Sequence, residues 1–296
     1  MPCKIITKQI KEDIVAFYKS RPMTHEEVAE KFHYSLPTII KIFKEYKVKP
    51  YPKAKIYSPN LIENYFETID TEKKAYFLGL LITDGCIHNN KHGSKMVNIT
   101  LQLRDVYIIE DFIKEIKLNK KIVHDNRHQG CGNIQVLSNK MVDDLMQYGI
   151  TYNKSLKTIF PKNIPLNLYP HLIRGILDGD GSIAFYARPN RKVHVKAIRF
   201  CQGNEQFLID LMKFLEEKVN IKIINTYKEK ENLWSIAYRS NDSILKLYNY
   251  LYNDATIYIK RKKELCDKLI NEINYYHGST EITTIVTNSS IVERRD

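Results

Sequence analysis

The chain has no Cys-x-x-Cys pair, and its five cysteines (Cys3, Cys86, Cys131, Cys201 and Cys266) are odd in number and widely scattered. That excludes a zinc site of paired thiolates and a disulfide framework, and it fits a reducing compartment. Cys86 and Cys201 lie in apolar-rich stretches and read as small core residues. No apolar run approaches the roughly 20 residues that span a bilayer. The polar, charged start MPCKIITKQIKEDI does not read as a secretory signal. A soluble protein is expected, cytoplasmic in a bacterial or phage setting or organellar if organelle-encoded. Abundant Lys, Ile and Asn, with 20 tyrosines, fit an AT-rich coding genome.

Acidic side chains are in short supply. Lys and Arg number 46 against 34 Asp and Glu, a formal charge of +12. Such an excess favours a polyanionic partner, because a cationic surface releases condensed counterions from a phosphate backbone. Composition alone does not separate this from a basic surface with no specific role, so the motifs must decide. The 296 residues allow one large domain, or a medium one with an accessory module, and 43% hydrophobic residues supply a sizeable core.

Three regions separate along the chain. Residues 1–50 are basic and helical in pattern, with helices expected near 7–19, 24–32 and 36–46. Thr24 with Glu27 has capping-box spacing. A short turn, His33-Tyr34-Ser35, leads to a third helix capped by Ser35, with Pro37 tolerated in its first turn and an apolar face of Ile39, Ile40 and Phe43. The layout is that of a helix-turn-helix, whose second helix would carry Thr38 and Lys41 into a major groove; a plain three-helix cap is the alternative. Residues 51–59 (YPKAKIYSP) form a Pro-bearing linker. The main body divides into halves at 60–165 and 166–271, and 272–296 lacks helical periodicity and reads as a flexible tail.

The division into halves rests on an internal repeat. KKAYFLGLLITDGCI (73–87) and HLIRGILDGDGSI (171–183) are apolar helical runs that end in Asp-Gly and lead into a β-like segment. ITLQLRDVYIIEDF (99–112) and AIRFCQGNEQFLIDL (197–211) match in layout, a strand ending at glutamine and then an amphipathic helix. Each half therefore reads helix, two strands, helix, two strands, helix. Gly79 and Gly175 fall in mid-helix, where glycine costs up to about 1 kcal/mol relative to alanine. That is tolerable if another backbone must approach closely. If the two runs pack in parallel through these glycines, Asp84 and Asp180 meet at their C-terminal ends. Two carboxylates beside negative helix ends repel each other and call for a cation, and oxygen ligands suit magnesium.

FLGLLITDG (77–85) and IRGILDGDG (173–181) resemble the nine-residue LAGLIDADG motif, and two copies 96 residues apart resemble the layout of single-chain LAGLIDADG homing endonucleases. The resemblance covers most of residues 60–270. It implies an α+β fold of two pseudo-symmetric αββαββα repeats packed through their motif helices, a saddle-shaped β surface over double-stranded DNA, and cleavage of both strands leaving short 3′ overhangs by a monomer. It also implies that Asp84 and Asp180 bind Mg2+ (or Mn2+), assisted by the carbonyls of Thr83 and Gly179. Gln102 and Gln202 would order water, and Lys154 and Lys262 would hold phosphates. Ile82 stands where acids are frequent, and its counterpart Asp178 reads as structural.

In MVNITLQLR, Val97, Ile99, Leu101 and Leu103 alternate with Asn98, Thr100, Gln102 and Arg104, giving one apolar face and one hydrogen-bonding face suited to base edges. The counterpart RPNRKVHVKAIRF offers Arg188, Arg191, Lys192, His194, Lys196 and Arg199, but its alternation slips near Ala197. Rival readings are a non-catalytic DNA-binding regulator and an RNA maturase acting on its own intron RNA. Retained acids in both copies oppose the first. An intein origin is not expected, since the chain starts at methionine and shows neither a terminal His-Asn nor an initial splicing nucleophile; a free-standing or intron-encoded protein fits better.

Overall fold

The computed structural model describes residues 6–51, 56, 58–89, 93–125, 130–152, 156–188 and 194–275. By their contacts, residues 1–63 with 110–122 form one compact unit, and residues 64–109 with 123–296 form a second. Most of the expected linker, and the tail beyond residue 275, lie outside the described residues.

The first unit opens with α1 (Lys8–Ser20), α2 (His25–Phe32) and α3 (Leu36–Glu45). Thr7 accepts from the Ile10 N–H, so α1 starts on a threonine cap. Thr24 and Glu27 form the reciprocal capping box that their spacing predicts, at 3.1 and 2.6 Å. The turn between α2 and α3 contains no glycine; His33 itself takes the left-handed conformation, at φ 57°. Ser35 bonds the Thr38 hydroxyl instead of a backbone N–H. The three helices close over Ile14, Tyr18, Met23, Val28, Ile39, Ile42 and Phe43. Ile42 joins this core, while Ile40 is only half-buried.

The second unit contains the repeat. Its first half runs α4 (Glu72–Thr83), β1 (Gly85–Asn89), β2 (Lys95–Gln102), α5 (Tyr107–Glu115, which continues into the first unit), β3 (Val123–Asp125), β4 (Cys131–Leu137) and α6 (Asn139–Gln147). The second half runs α7 (Tyr169–Gly179), β5 (Ser182–Tyr186), β6 (Val195–Gln202), α8 (Glu205–Val219), β7 (Tyr227–Lys230), β8 (Leu233–Tyr238) and α9 (Asn241–Tyr252). A further helix, α10, covers residues 260–275, so 272–275 are helical where the sequence pattern had ended the body. The order αββαββα thus occurs twice. Both sheets are antiparallel and share one strand order, β1-β2-β4-β3 and β5-β6-β8-β7. In β2, Val97, Ile99 and Leu101 are buried, with α6 packed on that side, and Asn98, Thr100 and Gln102 face the other way. No helix among the described residues is long and apolar enough to cross a membrane.

The two halves join through α4 and α7, whose contact is the most extensive between helices. A Cβ on Gly79 would lie 2.1 Å from the Leu172 carbonyl oxygen and 3.1 Å from the Gly175 Cα. A Cβ on Gly175 would lie 2.1 Å from the Tyr76 carbonyl oxygen. Backbone meets backbone at this crossing, and neither main chain can step aside without moving its half. Arg174 adds a polar clamp: fully buried, it donates to the carbonyls of Leu251 and Ile257 and to the Glu72 carboxylate at the start of α4. At Glu72 burial raises the carboxyl's pKa, but bonds from Thr256 and the nearby Arg174 charge outweigh it and hold the group below the usual range. Gly175→Ala should therefore destabilise by at least about 2 kcal/mol, lowering the thermal midpoint by roughly 5 °C or more in a protein of this size. The exposed Lys213→Ala in α8 should leave it unchanged. Equal circular-dichroism melts for wild type and Gly175→Ala would contradict the backbone crossing.

Candidate functional site

The crossing fixes what happens at the C-terminal ends of its helices. Asp84 and Asp180 are the C-cap residues of α4 and α7, with near-identical backbone angles (φ −87°, ψ −5° and φ −83°, ψ −4°). A Cβ on Gly179 would collide with the Thr83 hydroxyl at 1.8 Å and would stand 3.2 Å from Asp84 Oδ2. The Asp84 carboxylate therefore lies directly against the residue that precedes Asp180. The two acids predicted from the repeat are brought to one place. Asp84 is half-buried and Asp180 exposed, so both reach the surface. The Thr83 hydroxyl bonds back to the carbonyls of Leu80 and Gly79, which settles its side chain under this contact.

Negative helix ends and two carboxylates in one place need positive charge. Part of it comes from the chain. Lys262, in the first turn of α10 and 7% exposed, points its ammonium into the end of α7. It donates to the carbonyls of Leu177, Asp178, Gly179 and Gly181 at 2.8, 2.6, 3.1 and 2.7 Å. An ammonium has three N–H donors, so four carbonyls saturate it. Burial pulls its pKa below the ordinary lysine value, against the opposing Asp178 charge. Lys262 thus caps a helix, and the expectation that it holds a phosphate is corrected. Lys154, its proposed partner, lies outside the described residues, as do Arg191 and Lys192.

Asp178 is structural, as read from the sequence. It is 1% exposed, and its Oδ2 accepts from the Tyr76 hydroxyl of α4 and from the Ile259 N–H ahead of α10. Its Oδ1 is buried without a hydrogen-bond partner. Burial pushes this carboxyl up to about 6, against the Ile259 N–H, Lys262 and Tyr76, which all favour the charged form. Arg261 forks onto the buried Asp105, fixing the turn that follows β2 to the start of α10.

The two glutamines do not form a matched pair. Cys86 and Ser182 each lie two residues past their acid, and they pair with Asn98 and Arg199. Asn98 and Arg199 are therefore equivalent positions. The equivalent of Gln102 is Gly203, and the equivalent of Gln202 is the buried Leu101. Gln102 is exposed, its Oε1 taken by the Arg104 Nε–H. Gln202 is 5% exposed on the helix-covered face, where its Oε1 accepts from Gly203 N–H and its Nε2 has no partner. The expected surface role for Gln202 is corrected: one residue of phase reverses the face.

The same alternation sorts the other candidates. Asn98 and Thr100 lie on the open face of their sheet, and Asn133 on β4, missed in the sequence, donates to both at 2.6 and 2.7 Å. Its signal was present in CGNIQVL, where Asn133 and Gln135 alternate with buried Ile134 and Val136. Arg104 and Leu103 are not strand residues, because β2 ends at Gln102 and a 3-10 turn (Leu103–Asp105) follows; Leu103 is 44% exposed. In the second sheet Arg199 faces outward, but it is ion-paired to Glu229 of β7 and bonds Ser235. His194 and Lys196 point the opposite way, onto Glu272 of α10, so they do not share a face with Arg199. The register of β5 and β6 is unbroken; the apparent slip near Ala197 arises because Val195 and Ala197 face outward while Ile198 and Phe200 face in. Arg188 is exposed just past β5, and on α3 of the first unit Lys41 is exposed and Thr38 half-buried.

Among the described residues no three His, Cys, Asp or Glu side chains converge. The donor set at the motif ends is two carboxylates with the adjoining carbonyls of Thr83 and Gly179, the latter the least tightly bound of the four facing Lys262. Few protein oxygens, with remaining positions left to water and phosphate, are what magnesium accepts. That donor chemistry, carboxylate and carbonyl oxygens only, fits the ion.

A raised folded-state carboxyl pKa means that the folded chain holds a proton which the unfolded chain releases. Asp178 should therefore contribute stability below the unfolded value near 3.8 and lose it as pH rises through about 6. Relative to Asp178→Asn, wild-type stability in urea unfolding should fall between pH 4.5 and pH 7.5. A pH-independent difference between the two would contradict this.

No protein-family model and no curated protein matches the sequence. Solved structures similar to the chain include the LAGLIDADG homing endonuclease I-GzeII in complex with its DNA target, at 16% identity and TM-score 0.49 over 71% of this chain and 96% of that one. The LAGLIDADG meganuclease I-AabMI bound to uncleaved DNA shows 12% identity and TM-score 0.49 over 73% and 98%. The LAGLIDADG homing endonuclease I-LtrWI bound to target DNA shows 14% identity and TM-score 0.47 over 75% and 97%.

Proposed function

We propose that this protein is a site-specific, divalent-metal-dependent DNA endonuclease that hydrolyses phosphodiester bonds in both strands of a long duplex site. One observation carries the reading: two acids from two copies of one motif are held together at the open ends of helices crossed backbone to backbone. A relic of the fold would need neither acid. The basic charge of +12 supplies the long-range attraction to a polyanion, and the amide-bearing face of the first sheet supplies groups that read base edges.

In this reading Asp84 and Asp180, with the carbonyls of Thr83 and Gly179, hold Mg2+ or Mn2+. When bound, the ion polarises the phosphate, lowers the pKa of an attacking water and stabilises the departing oxygen. The chain's own contribution is placement. The glycine crossing fixes the spacing of the acids, Thr83 packs beneath them, and Lys262 sets a positive charge on the carbonyl end of α7 beside them. Gln102, exposed at the end of β2, would orient water. The three-helix unit lengthens the footprint, with α3 presenting Thr38 and Lys41 to the duplex.

Asp84→Asn and Asp180→Asn should each bind duplex DNA as wild type does and lose cleavage in magnesium by at least about a thousandfold, measured on plasmid substrates carrying the flanking genomic sequence of the gene. Unchanged cutting by either variant would refute the assignment. Lys41→Ala should weaken duplex binding and reduce the salt dependence of log K by about one phosphate's worth. An unchanged salt slope would remove α3 from the interface.

A further inference from the structure

Symmetry makes the two open sheet faces directly comparable, and their chemistry differs. Asn98 is equivalent to Arg199, Thr100 to Cys201, Gln135 to Ala237 and Asn133 to Ser235, by the cross-strand pairs that join them. On the first sheet these positions are three amides and a hydroxyl. On the second they are a guanidinium and a thiol, both half-buried, with the Ala237 methyl and the Ser235 hydroxyl buried. The one strong hydrogen-bonding group of the second set is already engaged: Arg199 is ion-paired with Glu229, and Ser235 donates to the same carboxylate while facing Arg199. The Arg199 and Ser235 bonds hold the Glu229 carboxyl below its usual range, so this acid stays charged on the open face. On the first sheet, by contrast, Asn133 spends its N–H groups on Asn98 Oδ1 and Thr100 Oγ1. That sets their orientation in advance and leaves an amide donor on Asn98 and an acceptor on Asn133 facing outward.

We infer that the two halves divide the work of recognition: the first sheet reads base sequence through the Asn98–Thr100–Asn133 group, and the second holds its half-site with little base discrimination because Glu229 ties up Arg199. The inference rests on the proposed function for its ligand, duplex DNA, but not on cleavage. Amide side chains discriminate bases by paired donor and acceptor contacts in the major groove. An arginine whose Nη2 is held by Glu229 and Ser235 is not free to turn its donor fork onto a base edge, and the negative charge beside it opposes close phosphate contact. Glu229 is thus a specificity-suppressing residue, and removing its charge would free Arg199 for a bidentate contact to guanine.

The test is selection of bound duplexes from a randomised library by the full-length chain in EDTA, where binding is read without cutting. Base preference should concentrate in one half of the selected sites. Asn98→Ala and Asn133→Ala should relax that half by roughly tenfold per strongly read position, whereas Ser235→Ala should not. Glu229→Gln should add a guanine preference in the other half. Equal information in both halves, or a Glu229→Gln profile identical to wild type, would overturn the division of labour while leaving DNA binding intact. Failure to retain any duplex would instead overturn the proposed function, and this inference with it. Thermal melts matching wild type confirm that each variant is folded.

Discussion

A contact between two glycines sets the geometry on which everything else in the repeat depends. Where Gly79 meets Gly175 there is no side chain to adjust, so helix separation is fixed by main-chain atoms. Rigidity then carries down the helices. Four residues on, one full turn, Gly179 has space only for its bare Cα against Thr83 and Asp84. The placement of the acids is consequently set by the backbones they terminate. This explains why mid-helix glycine, a costly choice by propensity, occurs at equivalent places in both halves.

Holding negative groups together at helix ends creates an electrostatic problem that the second half answers alone. Asp178, Arg174 and Lys262 are all buried; Asp178 and Arg174 reach out of the second motif helix to Tyr76 and Glu72 of α4 and to main-chain groups between residues 251 and 259, while Lys262 comes in from α10 onto the carbonyls that end that helix. The first half has no such acid, since Ile82 fills the place of Asp178. One charged cluster can serve both motifs because the crossing is so close. Breaking it by removing a single partner would leave a buried charge uncompensated, which is the expensive way to lose a buried network.

Much of this was legible in the sequence. The repeat, the glycine positions, the terminal acids, the Thr24 cap and the alternation in β2 all follow local rules that hold irrespective of neighbours. What was not legible turned on one residue of phase or on burial. Gln202 looked like the partner of Gln102 because both end a strand, but strand pairing makes Gln202 the equivalent of Leu101, one residue out of phase and on the opposite face. Lys262, in a run of basic residues, looked solvated, and nothing local announces an ammonium folded into four distant carbonyls. His194 and Lys196 read as an outward basic face until α10 supplied Glu272. Each miss involves a partner more than 60 residues away, or a face that only the sheet's pairing determines.

The pattern of what the halves share follows from packing. Where one backbone touches the other, as at Gly79 and Gly175, both copies are held to the same residue, because a change on one side collides with its mate. One layer out, side chains face the sheet's own helices, and equivalence holds in kind rather than identity: Ile99 and Phe200 are both fully buried apolar residues. On the outward faces the fold constrains the choice less tightly, and the equivalents Asn98 and Arg199 are a neutral amide and a charged guanidinium, each held by its own neighbours. Divergence at those positions costs little stability, since exposed substitutions away from packed features change it by only about half a kcal/mol. A duplicated skeleton can thus keep one symmetric centre while its two surfaces come to present different chemistry to a ligand that is itself asymmetric in sequence.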